Sequence, residues 1–423
     1  DLLYDRAPFI SYGNSIWKNC YETIANINNV LNYEEKNRSV IAPVVDSLVR
    51  GEMLGLRALL HFDLLRMFGK GNLGNRRELL NTFTIPYSLD FNKYAPAQVT
   101  YEQFLYYLKK DIEEAIEYLY VDPITRREPL SYYQPYVDQA FLATDEYNRG
   151  IIDRNFRMNY YAAQALYARI LMWEGTPEAK GKALTVAEDL IENAYYSWAY
   201  ENSVMVKNNE WWKSDLLFKN EHLFTMAVEK LEEYQTHTQG TRNWFDASSP
   251  GNTYQVVYLN QSKAEEIYES PGIGDSDWRF IYCLLPQGQS RSYYGVVKLR
   301  QHTADYSRMI PMIRITEMYY IAAECRMEAG PDYDKSKALD YLNTVRRHRG
   351  IAQAEELPAS LTDAEVKEEI YKEYRKEFVG EGQIFFYYKR KGMETIPGYN
   401  GEMTDLQYQY PMPDDEIALG GRI

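Results

Sequence analysis

Apolar residues that recur every three or four positions are the feature that most constrains the fold of this chain. This spacing matches the α-helical repeat of about 3.6 residues and not the alternation of a β-strand. Thr100 precedes the clearest example and is its predicted N-cap. That helix spans residues 101–119, and its apolar face consists of Tyr101, Phe104, Leu105, Leu108, Ile112, Ala115, Ile116 and Leu119.

The same periodicity predicts seven further helices and therefore a mainly α fold. Asp363 is the predicted N-cap of the last helix. Gly69 is predicted to end the helix that covers residues 48–69. The seven predicted helices cover residues 15–33, 48–69, 157–174, 180–194, 311–329, 335–348 and 363–380.

A weak internal repeat indicates how these helices pair. Residues 163–193 resemble residues 318–348, and in both copies a helix ends near a glycine and a second helix follows. Two-helix units with small residues at their contacts are typical of tetratricopeptide-like hairpins. The predicted helices 15–33 with 48–69, and 101–119 with 157–174, can supply further pairs. The matching positions are Ala168 and Ala323, Gly175 and Gly330, and Lys182–Leu184 and Lys337–Leu339.

Two stretches lack the helical period, namely residues 70–100 and residues 195–310. Both are rich in glycine, proline and aromatic residues, and both are too long to be simple connections. Loops carried by a rigid scaffold are a common place for binding residues, so we predict that these stretches carry the function. No proline- or serine-rich linker interrupts the chain, which predicts a single domain over residues 1–423. Its helical scaffold is expected at about 15–69, 101–119, 157–194 and 311–380.

Charge and composition exclude several classes of function. The net charge of −14 and the pI near 5.1 argue against a nucleic-acid partner and against electrostatic binding to anionic membranes. Three cysteines, Cys20, Cys283 and Cys325, cannot form a disulfide framework and are expected to be small buried hydrophobic residues.

The motifs associated with cofactors and catalysis are missing or out of context. Gly69–Gly74 fits the glycine spacing of a dinucleotide-binding loop, but a predicted helix precedes it where that loop needs a strand. The five histidines do not lie in a zinc-binding pattern, and no nucleophile signature occurs. Most carboxylates lie on helix faces opposite an apolar stripe. We therefore predict no cofactor, no metal site and no enzymatic activity.

The aromatic content of the two loop regions suggests carbohydrate binding. The chain contains 40 Tyr, 15 Phe and 7 Trp. Sugar rings present flat C–H faces that stack on aromatic rings, although most tyrosines and tryptophans in proteins simply pack. The predicted ligand-binding residues are Tyr87 and Tyr94 in the first loop region, and Asn243, Trp244, Tyr254, Tyr258, Trp278, Arg279 and Tyr293 in the second.

Eight segments, in order, resemble hallmarks of the SusD/RagB family of nutrient-binding outer-membrane lipoproteins of Bacteroidetes. The first, which reads RGEMLGLRALLHFDLLRMFG, is similar to a helix that the family places before a loop. The seventh segment ends at Glu381-Gly382, and the chain departs from the family pattern directly after it. The family often has an Arg and then an Asp there, whereas this chain has Gln383–Tyr388. The segments are Arg50–Gly69, Asp111–Ala115, Ala162–Ile170, Asn220–Phe224, Arg314–Glu324, Leu342–Gly350, Arg375–Gly382 and Pro411–Ile417.

The resemblance implies both a fold and a role. It implies a scaffold of tetratricopeptide-like helical pairs with an irregular, loop-rich ligand-binding half. It also implies a surface-exposed lipoprotein of the outer membrane that captures glycans and passes them to a SusC-like TonB-dependent transporter. The lipid anchor would lie upstream of the first residue given. Asp277-Trp278-Arg279 is similar to a family feature, so a structural role for Trp278 is an alternative to ligand contact.

Two other functions remain open from the sequence. A tetratricopeptide-like adaptor would bind only proteins and would need no carbohydrate site. A glycoside hydrolase would need two carboxyl groups that face each other across a sugar.

Overall fold

The structure, a computed structural model, describes residues 7–126, 154–205, 214–228, 231, 257–287, 292–299 and 309–420. Within these ranges the chain forms fourteen α-helices and seven short strands, which confirms the predicted mainly α fold. The helices are α1 (Ala7–Asn37), α2 (Pro43–Phe68), α3 (Tyr101–Leu119), α4 (Tyr160–Glu174), α5 (Pro177–Asn193), α6 (Glu201–Val204), α7 (Gln261–Tyr268), α8 (Trp278–Ile281), α9 (Ile315–Arg326), α10 (Lys335–Arg347), α11 (Asp363–Glu377), α12 (Gln383–Lys391), α13 (Asp405–Tyr408) and α14 (Asp414–Gly420).

The strands form three small antiparallel sheets. One sheet pairs β1 with β2, another pairs β3 with β7, and the third has the strand order β4-β6-β5. The strands are β1 (Phe83–Pro86), β2 (Gln98–Thr100), β3 (His222–Ala227), β4 (Tyr258–Asn260), β5 (Leu284–Gln287), β6 (Tyr293–Val296) and β7 (Met309–Arg314).

Local sequence signals explain where several helices begin. The Thr100 hydroxyl accepts a hydrogen bond from the Gln103 N–H (3.2 Å), and the Gln103 side chain accepts one from the Thr100 N–H (3.1 Å). This reciprocal capping box confirms Thr100 as an N-cap. The predicted N-cap of α11 was wrong by one residue. Thr362 is the cap, because its hydroxyl accepts from the Glu365 N–H, and Asp363 is the first helical residue.

The helix predicted at residues 311–329 begins later than expected. Residues 309–314 form β7, which pairs with β3, and α9 begins only at Ile315. Burial alternates along this strand, with Met309, Pro311 and Ile313 buried. The strand depends on a partner more than 80 residues earlier in the chain, so local periodicity does not reveal it.

The chain divides into two compact units. Unit 1 comprises residues 1–154, 158–186 and 385–423, and unit 2 comprises residues 155–157 and 187–384. In unit 1, α1 packs on α2 and α3 packs on α4, as the predicted hairpins require. In unit 2, α9 packs on α10 and α11 contacts both. The single domain over residues 1–423 stays a prediction.

The glycines at residues 69–74 serve close packing of the backbone in unit 1. Gly69 is the C-cap of α2, as predicted. A Cβ atom at Gly74 would lie 2.5 Å from the carbonyl oxygen of Gly175, and one at Gly71 would lie 2.6 Å from the carbonyl oxygen of Lys389. Gly175 itself ends α4 in the left-handed conformation, with φ of 71°. None of the described helices is long and apolar enough to cross a membrane.

Candidate functional site

The exposed face of the β4-β6-β5 sheet in unit 2 carries two of the predicted aromatic residues. In the register of this sheet Tyr258 lies opposite Gly295, and Asn260 lies opposite Tyr293. Tyr258 and Tyr293 are therefore diagonal neighbours on one face. Their ring centroids are 5.5 Å apart, with an angle of 57° between the ring planes. Tyr258 is 54% exposed and Tyr293 is half-buried. We call this pair the Tyr258–Tyr293 platform.

Gly295 helps to position the platform. Because glycine has no side chain, the Tyr258 ring can lie across the sheet towards Tyr293. Asn260, at the end of β4, accepts a hydrogen bond from the Lys263 N–H (2.8 Å) and so caps α7. Helix α7 packs behind the sheet, which anchors the strand that carries Tyr258.

The opposite face of the sheet is apolar and packed. Leu284 and Val296 are almost fully buried in one cluster with Ala264 and Tyr268 of α7. Phe280 stacks on Tyr268 at 5.4 Å, and other partly buried rings and aliphatic side chains complete the cluster. Because successive side chains of a strand point to opposite faces, only alternate residues of β4 and β6 lie on the face that carries Tyr258 and Tyr293.

A buried network of charges lies next to this sheet and is centred on Glu377. The Glu377 carboxylate accepts hydrogen bonds from three guanidinium groups, those of Arg279 (3.0 Å), Arg349 (2.9 Å) and Arg314. The Lys298 ammonium, two residues after β6, donates to the Glu377 carbonyl oxygen (2.7 Å). Burial raises the pKa of the Glu377 carboxyl, but the surrounding cations outweigh burial and hold it well below its ordinary value. The network therefore ties the end of β6 to α11.

The structure argues against a ligand contact by Arg279. Its side chain is 1% exposed, and its guanidinium donates to the carboxylates of Asp277 (2.7 Å), Glu373 (2.9 Å) and Glu377. Burial lowers the pKa of Arg279, and its acidic neighbours outweigh burial and raise it well above its ordinary value. A guanidinium that is buried and saturated by carboxylates is a structural cation. Composition alone does not distinguish such a buried cation from a ligand-binding arginine.

Trp278 lies beside Arg279 and has the environment of a packing residue. It is half-buried against the apolar cluster that contains Phe218 and Cys283. Its backbone N–H donates to the Arg349 carbonyl oxygen (2.9 Å), and its indole ring lies against Gly350, where a Cβ atom would overlap it. These contacts favour the structural alternative for Trp278.

Tyr87 is also buried, and the prediction of a ligand contact does not fit its surroundings. The ring stacks on His61 at 3.8 Å, and the hydroxyl donates to Asp111 (2.6 Å), which also pairs with Arg57. Burial is the main cause that raises the pKa of Tyr87 well above its ordinary value. In contrast Tyr94, in the same loop region of unit 1, is 73% exposed.

The remaining predicted residues are Asn243, Trp244 and Tyr254, and they lie outside the described residues. Of the six that are described, the structure brings together only Tyr258 and Tyr293 in one sheet. The platform offers flat ring faces and two hydroxyl groups, which suit stacking and hydrogen bonding to a polyol. Among the described residues no group of three or more His, Cys, Asp or Glu side chains could hold a metal ion.

Sequence reasoning missed several exposed aromatic residues, of which Tyr106 is an example, and one cavity. Tyr106 is 61% exposed on α3, opposite the apolar face from which that helix was predicted. The cavity is apolar and lies between the start of α1 and residues 405–414. The sequence signal for that cavity was the presence of apolar residues near both ends of the chain. These residues lie in segments for which the apolar periodicity predicted no packing partner.

Two family models match the chain. The model described as "SusD family" covers residues 282–419, and the model described as "Starch-binding associating with outer membrane" covers residues 7–128. The chain belongs to the SusD/RagB family. No curated protein matches it.

Solved SusD-type structures share the fold. A SusD superfamily protein from Bacteroides thetaiotaomicron has 22% identity and a TM-score of 0.69, with 95% of this chain and 83% of that chain covered. Surface glycan-binding protein A from Bacteroides uniformis has 18% identity and a TM-score of 0.68, with 97% and 84% covered. A SusD-like carbohydrate binding protein from Bacteroides vulgatus has 15% identity and a TM-score of 0.66, with 96% and 83% covered. At these identities the likeness concerns the fold.

Four of the eight segments that carry the SusD/RagB resemblance meet in the Glu377 network. Glu221, Arg314, Arg349 and Glu377 each belong to a different quoted segment, and all four are at most 1% exposed. Glu221 pairs with Arg349, and Glu377 pairs with both arginines. These four residues are therefore buried and paired with one another inside unit 2.

Proposed function

We propose that this SusD/RagB protein binds oligo- or polysaccharides at the cell surface and delivers them to a SusC-like TonB-dependent transporter in the outer membrane, without chemical conversion. The Tyr258–Tyr293 platform is the observation that carries the carbohydrate part. It is a pair of neighbouring rings on one sheet, of which Tyr258 is exposed and Tyr293 is half-buried, and the residues that precede β4 include the predicted Asn243, Trp244 and Tyr254. The family and the names of its structural neighbours support the same class of ligand.

The proposed ligand residues are Tyr258, Tyr293, Asn243, Trp244, Tyr254 and, in unit 1, Tyr94. Arg279 and Tyr87 are removed from the set because both are buried and paired. A stacked aromatic ring contributes roughly 1 kcal/mol beyond the area it buries, which corresponds to about a fivefold change in affinity per ring.

Affinity electrophoresis in gels that contain candidate polysaccharides tests this proposal. We expect the wild-type chain to be retarded by at least one glycan. Tyr258→Ala, Tyr293→Ala and Trp244→Ala should each weaken retention without lowering the melting temperature. Tyr200→Ala is the matched control, because Tyr200 is a 61% exposed tyrosine of the same unit outside the sheet.

Two outcomes would overturn the carbohydrate proposal. One is the absence of retention on every glycan at millimolar concentration, and the other is equal retention of the control and the three variants. Release of reducing ends during incubation with a bound polysaccharide would show that the protein is a glycoside hydrolase and does not only bind the glycan.

The delivery step needs a separate test. The proposed transporter should co-purify with the chain from outer membranes, and the chain should be cleaved when protease is added to intact cells. If protein partners bind while every glycan fails, the tetratricopeptide-like adaptor is the better description.

A further inference from the structure

An apolar cavity in unit 1 has no part in the proposed glycan site. It lies between the first turns of α1 and the segment that runs from α13 to α14, and its volume is about 910 Å³. Ligand pockets in proteins typically enclose about 300–1,000 Å³ and are lined mainly by apolar side chains. The walls have this character, with Phe9 and Tyr12 from α1 and Leu406 and Tyr410 from the second segment.

The floor of the cavity is held in place by the end of α2. The Tyr410 N–H donates to the Met67 carbonyl oxygen (3.0 Å), and the Gln409 amide donates to the Phe68 carbonyl oxygen (2.6 Å). The Phe68 ring contacts Tyr410 on one side at 6.0 Å and Trp17 of α1 on the other at 4.9 Å. Both walls are thus anchored on one buried ring, and the cavity is preformed.

Large apolar side chains of both walls remain exposed. Leu406 is 76% exposed, Tyr12 is 50% exposed and Phe9 is 44% exposed. An apolar body placed between them would cover these surfaces, which is favourable in proportion to the area removed from water.

The polar lining selects the charge of the occupant. Lys70 and Asp405 both line the cavity. The Lys70 ammonium lies 3.6 Å from Asp405, which the Arg76 guanidinium also binds (2.6 Å), so these two lining charges offset each other. Asp414 also lines the cavity and is exposed, and its carboxylate forms no ion pair within the described part of the chain. The lining therefore carries one uncompensated negative charge, which favours a cation.

We propose that this cavity binds a small amphiphilic amine, with its aromatic or aliphatic body between α1 and Leu406 and its ammonium group at Asp414. The occupant is separate from the glycan of the proposed function. Its size follows from the cavity volume, its apolar part from the walls, and its charge from Asp414.

Calorimetric titration with 4-phenylbutylamine tests the proposal. We expect binding with a Kd of roughly a millimolar or tighter, as befits a ligand of this size. 4-Phenylbutanoate, which has the same body and the opposite charge, should bind at least about tenfold more weakly. Asp414→Asn should weaken amine binding by about two- to fivefold, because Asp414 is exposed and a solvent-exposed ion pair contributes modestly to affinity.

Gly13→Trp tests the cavity with a substitution that should not destabilise the fold. A Cβ atom at Gly13 meets nothing within 4 Å, and Gly13 lines the cavity. Replacing a glycine inside α1 also favours the helix. The variant should fold, fill the cavity and weaken amine binding by at least tenfold. Ser11→Trp is the matched control, because Ser11 is exposed on the same helix and does not line the cavity.

The proposal fails if 4-phenylbutylamine does not bind, if Gly13→Trp binds it as tightly as Ser11→Trp, or if the carboxylate analogue binds equally well. Sedimentation of the same samples tests a second copy as the occupant. Dimerisation that Gly13→Trp abolishes would overturn the amine in favour of self-association. Gly13→Trp should leave glycan retention unchanged, so failure here is distinguishable from failure of the proposed glycan function.

Discussion

Replacing Glu377 by glutamine tests whether the SusD/RagB motif residues act through one buried charge network. Glu377 is fully buried, and its carboxylate accepts hydrogen bonds from Arg279, Arg314 and Arg349. Glutamine has nearly the same shape but no charge. Its amide also has one group that donates, so it cannot accept from all three guanidinium groups.

The expected loss of stability follows from these contacts. Removing one partner of a buried ion pair costs about 3–5 kcal/mol, because the other partner is left buried without compensation. Three cations face Glu377, but Glu221, Glu373 and Glu381 still neutralise part of their charge. We therefore expect Glu377→Gln to lower the free energy of unfolding by about 3–5 kcal/mol, out of a typical total of about 5–15 kcal/mol.

Urea unfolding followed by tryptophan fluorescence measures this loss. Glu368→Gln is the matched control, because Glu368 is an exposed residue of the same helix and its replacement should change stability by no more than about 0.5 kcal/mol. A Glu377→Gln variant within about 1 kcal/mol of wild type at pH 7 would refute the reasoning.

The pH dependence gives a second check on Glu377. The folded state holds the pKa of this carboxyl well below its ordinary value. Its contribution is therefore complete above the unfolded pKa of about 4.3 and is lost as the pH falls towards the folded pKa. The difference between wild type and Glu377→Gln should stay constant from about pH 5 to pH 8 and shrink below about pH 4.

Two further predictions concern unit 1. Burial lowers the pKa of His61 to about 3, and its Nε2 accepts from the Ser88 N–H (2.9 Å). His61 alone should therefore lower the free energy of unfolding by about 1.6 kcal/mol between pH 6.5 and pH 5, as the unfolded imidazole binds a proton. Nitrogen NMR should show a neutral His61 at pH 5, and an NMR pKa between 6 and 7 would contradict this. Gly74→Ala should lower the free energy of unfolding by about 1–3 kcal/mol, because the new methyl group meets the Gly175 backbone, whereas Gly13→Ala should raise it by up to about 1 kcal/mol. Equal effects of these two substitutions in urea unfolding would count against the close approach at Gly74.

The helices were largely predictable because their signals are local. The apolar period placed α3 at its observed residues 101–119, and Thr100 supplies the predicted cap. Gly69 ends α2 as expected. Where a segment depends on a distant partner the local signal fails, as in β7, whose residues read as the start of a helix but pair with β3. Helix formation uses contacts three and four residues apart, whereas strand pairing uses contacts that no short window contains.

The candidate site was predictable only as a list of residue types. Tyr87 and Tyr258 are both tyrosines in loop regions, yet one is 5% exposed against His61 and the other is 54% exposed on a sheet. Arg279 looked like a polar partner for a sugar and is instead a buried cation of the core. Burial depends on which face of a strand or loop meets the core, and that choice is made by packing partners elsewhere in the chain.

By itself the amino-acid sequence determined the helical class of this protein, most of its helix positions and its likeness to the SusD/RagB family, because periodicity, caps and motifs are properties of neighbouring residues. Only the tertiary structure decided what the motif residues do. Glu221, Arg279, Arg349 and Glu377 span more than 150 positions and meet in one buried network. It also decided that Tyr258 and Tyr293 share an exposed face while Tyr87 does not. The physical reason is that charge pairing and exposure are set by distances through space, which the order of residues does not contain.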